Sequence, residues 1–189
     1  MSQATGLADI LSGPPEKAAP HLLGAHLVSV VDGVEVRVAI GEVEAYKGSE
    51  DPASHAYRGE TPRNSSMFRH PGTLYVYRSY GIHDCANTAA GPEGVGWGIL
   101  IRGGEVIGGE AIAIRRRGGR ADLANGPGKL CQTLGITIEL NGTNLLDSSS
   151  VIRLEEGKAP DAVMATPRIG ISRGRDLPWR FVSASQLSA

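Results

Sequence analysis

The sequence predicts a single α+β domain, a curved antiparallel β-sheet with helices on its outside. Three observations lead there. Strand-length segments of alternating or continuous apolar character recur along the chain, punctuated by turn dipeptides such as Asp32-Gly33 and Pro71-Gly72. Three of them follow one another in the middle of the chain with no helix between, which suits antiparallel pairing. The length of 189 residues provides one sizeable core and not two.

The elements follow in order. Residues 1–13 are small and polar and read as a loose terminus. Pro14 and Pro15 fit the first turn of a short helix through Leu23, with Gly24 as its stop. His26–Val31 reads as a strand, Asp32-Gly33 as a hairpin turn and Val34–Tyr46 as a long second strand. Lys47–Asn64 is a loop, and Thr61-Pro62 opens a short helical turn to Phe68. Leu74–Ser79, Ile82–Ala89 and Trp97–Arg102 are expected as three neighbouring strands. Gly109–Arg117 and Leu123–Leu134 read as helices, the second interrupted or started at Gly126-Pro127. Gly118–Arg120 is a surface loop between them. Val151–Leu154, Arg168–Ser172 and Trp179–Val182 are expected as short late strands. The division is therefore a flexible segment 1–13 and one domain over 14–189.

Composition narrows the classes. Residues 1–24 contain Asp9, Pro14, Pro15, Glu16 and Lys17 and no apolar run, so no signal peptide is expected. No stretch reaches the roughly 20 apolar residues of a membrane span. Cys85 and Cys131 are too few for a disulfide framework, which suits a reducing cytoplasm. The net charge is −1, but it is unevenly spread. Residues 1–51 are acidic and residues 52–130 carry a basic excess, which suits either a phosphate-binding face or simple segregation of solvated charge.

The chemistry is concentrated in one region. Only 5% of the residues are Phe, Trp or Tyr, yet the tyrosines gather in E-V-E-A-Y (Glu42 to Tyr46), H-A-Y-R-G-E-T-P-R-N-S-S-M (His55 to Met67) and L-Y-V-Y-R-S-Y-G-I-H-D-C-A-N (Leu74 to Asn87). Tyrosine rings beside an acid suit stacking of a flat base, with the acid acting on what is stacked. Glu42 and Glu44 alternate, so both face the same side of a strand. Residue type alone does not separate them, and a solvated strand carboxylate is the plain reading of either.

These blocks, with I-L-I-R (Ile99 to Arg102), G-P-G-K-L-C-Q-T-L-G-I (Gly126 to Ile136), P-R-I-G-I-S (Pro167 to Ser172) and P-W-R-F (Pro178 to Phe181), resemble the 3-methyladenine DNA glycosylases of the alkyladenine (methylpurine) type. The likeness runs almost unbroken from about Leu22 to Gly135 and resumes near the end. It implies a monofunctional base-excision enzyme of a bacterial cytoplasm, acting as a monomer on double-stranded DNA without metal or cofactor. The reaction would hydrolyse the N-glycosidic bond of an alkylated or deaminated purine and leave an abasic site. The implied scaffold resembles a formyltransferase C-terminal domain.

By the same resemblance, Glu44 is the general base that deprotonates a water for attack at C1′, and its charge steadies an oxocarbenium-like sugar. Arg102 and the backbone carbonyl of Ile169 would help to hold that water; an ordinary salt bridge is the other reading of Arg102. Tyr46, His55 and Tyr77 match the pocket that stacks the extruded base, where a cationic purine gains from electron-rich rings. Strand packing remains open for Tyr77, and a metal ligand or loop histidine for His55. Asn87 matches the residue that crowds the purine 2-position, or is a strand-end amide. Tyr80 would be the wedge that fills the gap left by the nucleotide. Ile82, His83 and Leu100 would line the minor-groove face. Thr61, Arg63, Asn64 and Lys129 are candidate phosphate contacts.

Two stretches depart from the family pattern, Gly103-Gly104 after Arg102 and Gly96-Trp97-Gly98 before it, with Trp97 open as core or DNA contact. G-V-G-W-G lacks dinucleotide-fingerprint spacing, and G-P-G-K-L is not a P-loop. His83 and Cys85 lack the H-x-E and P-C-x-x-C context of a zinc deaminase. Two other classes compete, a damaged-DNA binder that does not cut and a transferase on the same scaffold.

Overall fold

The computed structural model describes residues 6–184, an α+β domain organised around one long strand. Strand β2 (Val36–Lys47) is 12 residues long. One of its edges pairs along its length with β5 (Trp97–Gly108). The other edge is shared. Val36–Ala39 pair with β1 (His26–Ser29), and Glu42–Glu44 pair with β8 (Arg180–Ser183). The sheet path is β3 (Leu74–Ser79), β4 (His83–Ala90), β5, β2, β1 and β6 (Ile152–Glu155). The off-path strand β7 (Val163–Thr166) pairs with β8, and every pairing between the eight strands is antiparallel.

The hand-over on β2 coincides with register shifts against β5 on both sides of Glu42. A bulge of this kind bends a strand and re-aims its side chains, and bulges collect beside active sites. Beyond it Val43 and Ala45 point into the main core, while Glu42, Glu44 and Tyr46 alternate to the opposite side.

The main core gathers Leu22, Leu27, Val38, Ile40, Leu74, Val76, Ile99 and Ile101 from the sheet and its approach. Leu130 and Leu134 of α4 (Pro127–Leu134) cover it, with α4 lying across β4 and β5. Helix α3 (Glu110–Arg116) packs beside α4. A second small cluster, Ala56, Met67 and Tyr75, lies under the loop that follows β2.

Most expected elements occur where the pattern put them, and the differences have physical causes. The terminus read as loose contains helix α1 (Leu7–Leu11), whose Leu11 is fully buried in the core. The Leu11 carbonyl also accepts the Gly91 N–H at 2.8 Å. Residues 1–5, the start of that expected loose segment, lie outside the described residues. The helix after Pro14 is α2 (Pro15–Ala18), tightening to a 3-10 turn over Ala19–Leu22. Asp32 and Gly33 both adopt positive φ, as their tight turn requires. The turn before Phe68 is a single 3-10 turn, Ser65–Phe68.

Strand β5 runs six residues beyond Arg102, through the two glycines. Their substitution has a steric logic: a Cβ on Gly103 would lie 2.6 Å from the Ala124 carbonyl oxygen, and one on Gly104 2.1 Å from that of Ala39. Trp97 is partly buried and packs against the main core. The strand expected over Arg168–Ser172 does not form. The chain there bends, with Gly170 at φ +73°, because the Arg168 side chain is drawn inward. The strand is β7, immediately before. Among the described residues no helix is long and apolar enough to cross a membrane.

Leu11→Ala tests the packing of α1. The leucine is fully enclosed, so its truncation should cost about 2–4 kcal/mol, within the usual range for buried leucines. Urea unfolding should show a lower midpoint at unchanged slope. A midpoint within error of the wild type would mean that α1 does not stabilise the fold.

Candidate active site

A cleft of 480 Å³ opens on the side of the sheet to which Tyr46 points. Its back is built by the end of β2, by Asn87 and Leu100 on β4 and β5, and by Arg102. One wall is the loop after β2, carrying His55 and Met67; the other is the bend 169–173 between β7 and β8. Tyr80 stands at the tip of the β3–β4 hairpin and also lines the opening.

Glu44 lies behind this cleft with no exposed surface. A carboxylate in that position needs donors. Oε1 accepts the backbone N–H of Ile169 at 2.7 Å, and Oε2 accepts the Tyr46 hydroxyl at 2.7 Å. Arg102 Nη1 approaches Oε2 at 3.4 Å, while its Nε donates to Glu42 Oε1 at 2.7 Å. Glu42 takes a second guanidinium, Arg180 Nε at 2.6 Å. The two acids do share a face, and they differ in what surrounds them. Glu42 is paired through Oε1 with two arginines at the edge of the site. Glu44 is held at its back by a neutral hydroxyl, an amide and one longer cationic contact.

The rings form a connected slot. His55 and Tyr77 meet edge to face, centroids 4.4 Å apart at 77°. Tyr75 stacks on Tyr77 at 5.7 Å and 30°, and His55 Nδ1 lies 3.1 Å from the Tyr75 hydroxyl. Asn87 is buried and donates from Nδ2 to the Tyr75 carbonyl at 3.1 Å.

Burial keeps the tyrosine hydroxyls and the thiol of the slot uncharged. Burial, then the charge of Glu44 and its hydrogen bond, push the Tyr46 hydroxyl far above its ordinary value, so it stays a donor. Burial raises Tyr75 to about 12 and pushes Tyr77 and the Cys85 thiol up as well. Partial burial, aided by the nearby Arg63 cation, lowers His55 below the ordinary imidazole value, which favours the uncharged ring. Arg102 is opposed by burial, but Glu44 and Glu42 outweigh that and hold it more firmly charged. The result is a set of neutral, electron-rich rings with one enclosed carboxylate behind them. Among the described residues no group of three His, Cys, Asp or Glu side chains is arranged to hold a metal ion.

The expected residues are only partly brought together. Glu44, Arg102, Ile169, Tyr46, His55, Tyr77 and Asn87 meet in or directly behind the cleft. The Ile169 contact to Glu44 runs through its N–H, whereas the expectation concerned its carbonyl. Tyr80 and Ile82 project from the hairpin tip, 92% and 73% exposed. Tyr80 sits at φ +49° beside Gly81 at +70°, so a tyrosine occupies a backbone region it normally avoids. Arg63 lines the cleft opening, and His83 is exposed against the first turn of α4.

Two expectations need correction. Leu100 is 4% exposed and forms the back of the cleft, paired with Glu44 and with Asn87, so it cannot lie on an outer groove face. Asn64 is buried, and its amide braces the loop by donating to the carbonyls of His55 and Gly59 and accepting from Thr61 N and Oγ1. A side chain so engaged is not available to a phosphate. Lys129 is half-buried and tied to Asp122 and Asn125, each at 2.8 Å.

Sequence reading missed Tyr75, Met67, Cys85 and the Asp51–Arg168 pair. Tyr75 had a signal, since it is buried beside Tyr77 on the strand that the motif already marked. Asp51 and Arg168 had none, being 117 positions apart.

Residues 9–187 match the family model described as methylpurine-DNA glycosylase (MPG). A protein of Rhodococcus jostii named "Putative 3-methyladenine DNA glycosylase" is 47% identical over 175 residues, covering 88% of this chain and 76% of its own. Proteins of the same name from Corynebacterium glutamicum and Mycobacterium bovis are 46% and 44% identical, covering 89% and 92% of this chain and 79% and 87% of theirs. The chain belongs to the methylpurine-DNA glycosylase family.

Proposed function

We propose that the protein extrudes an alkylated or deaminated purine from duplex DNA and hydrolyses its N-glycosidic bond with a water activated by Glu44. The observation that carries this reading is an enclosed carboxylate directly behind a slot of neutral aromatic rings. The relatives' names point to 3-methyladenine as one substrate.

The extruded purine stacks among Tyr46, His55 and Tyr77. Neutral rings suit a cationic methylated base, whose charge gains from their π faces. Its C1′ then faces Glu44. A water there gives its proton to Glu44 as its oxygen bonds to C1′. The electron pair of the breaking C1′–N bond passes to the purine; a cationic alkylated base leaves neutral, and a neutral base such as hypoxanthine leaves as its anion and takes a proton from solvent. The carboxylate also opposes the positive charge that develops on the sugar. Tyr46 and the Ile169 amide hold Glu44 in place without protonating it, since neither gives up its proton near pH 7. Asn87 stands at the back of the slot, where it crowds a purine 2-amino group.

Tyr80 and the cations Arg63 and Arg173 line the opening, and Ile82 is exposed on the same hairpin tip. We read Tyr80 as the side chain that fills the space the nucleotide leaves. Its positive φ in a tight turn fixes where the ring projects.

Glu44→Gln keeps shape and removes the base, so single-turnover excision should be lost while lesion-DNA affinity stays near the wild type. Excision within tenfold of the wild type would remove Glu44 from this role. Tyr80→Ala should slow excision of hypoxanthine opposite cytosine more than opposite thymine, because the weaker pair opens more easily; equal losses on the two would return Tyr80 to a purely structural part. Affinity should also fall steeply with salt. Three neutralised phosphates correspond to about a 40-fold loss between about 50 and 200 mM salt, read by fluorescence anisotropy. A flat profile would place the DNA on another surface.

A further inference from the structure

We propose that the ion pair of Arg168 and Asp51 is a positioning device that aims Glu44. This rests on the reading of Glu44 as the base.

Both side chains of the pair are fully enclosed. Arg168 Nη1 donates to Asp51 Oδ2 at 2.5 Å and Nη2 to Oδ1 at 2.9 Å, a two-pronged match. The same guanidinium donates to two carbonyls, Ala45 at 2.9 Å and Gly174 at 3.3 Å. It lies over the Tyr46 ring at 4.7 Å and the Trp179 ring at 5.3 Å. Asp51 in turn accepts the backbone N–H groups of Lys47 at 3.3 Å and Ala53 at 3.1 Å.

These contacts join the two closest donors to Glu44, Tyr46 and the backbone of Ile169. Ala45 lies between Glu44 and Tyr46 on β2, and its carbonyl is one Arg168 acceptor. Tyr46, a donor to Glu44, is pressed by the guanidinium face. Ile169, the other close donor, follows Arg168 in the chain. Asp51 and Ala53 begin the loop that leads to His55. One cation therefore sets the end of β2, the wall loop and the bend 169–173 relative to one another.

Stability alone does not account for such a pair. A buried ion pair contributes little net stability, because desolvation offsets the attraction. Here the Arg168 Nε is also buried without a hydrogen-bond partner among the described residues. What a rigid fork supplies is orientation, which lysine cannot reproduce.

The test compares Asp51→Asn, Arg168→Lys and the apolar double variant Asp51→Leu/Arg168→Met with the wild type and with Glu44→Gln. The double variant guards against misfolding, since an apolar pair leaves no unpaired buried charge. The probe is a duplex containing one hypoxanthine. Melting temperature, Kd and the single-turnover rate against pH are measured. The expected result is folded protein with Kd near that of the wild type and a rate lowered by about a hundredfold, the scale of an ångström misplacement. The acid limb of the rate profile should move to higher pH, because a carboxylate that loses an N–H donor holds its proton more tightly. Folded variants with the wild-type rate and acid limb would overturn the proposal while leaving Glu44 as the base. A Glu44→Gln variant as active as the wild type would instead remove the reading on which the proposal rests.

Discussion

A buried carboxylate must be given donors by the protein, and the structure around Glu44 follows from that requirement. Its donors come from three places: Tyr46 two residues along the strand, Arg102 on β5 and the backbone of Ile169, 125 positions away. Bringing them together requires β2 to keep β5 on one edge and to exchange β1 for β8 on the other. The register shifts around Glu42 accompany that exchange. The architecture of the sheet and the solvation of one acid are thus a single problem with a single solution.

The same arrangement separates two acids of identical strand face into different chemical situations. Glu42 is neutralised by Arg102 and Arg180. Glu44 has one cation at longer range and otherwise neutral donors. A carboxylate held by neutral donors keeps more of its charge available to a proton or a developing cation than one clamped by two guanidinium groups. This contrast supports the proposed division between a base and a charged brace.

The slot and the hairpin tip show opposite uses of tyrosine. Tyr46, Tyr75 and Tyr77 are packed, and burial keeps their hydroxyls protonated. Tyr80 is 92% exposed on a left-handed backbone position. Ordinary packing explains the first three as well as a ligand would. It does not explain a large ring held out into solvent at a residue conformation that costs free energy, which is why Tyr80 supports the DNA-side reading more strongly than its neighbours do.

The sequence alone determined the class of fold, most strand positions and most of the residues that gather at the cleft, because these depend on local periodicity, turn chemistry and short motifs. Leu74–Ser79 is a strand because its apolar pattern and flanking turns leave little else. Tyr46, His55 and Tyr77 were legible because they lie in compact, specific blocks. Tertiary structure decided what no local signal encodes. It placed Leu11 in the core, made Leu100 the back of a cleft, and turned Asn64 into a loop brace. It bent the chain at Arg168, which pairs with Asp51 across 117 positions. Burial and hydrogen-bond satisfaction are properties of the assembled chain. A side chain's residue type states what it can donate or accept, and only the fold determines whether a protein group or water answers it.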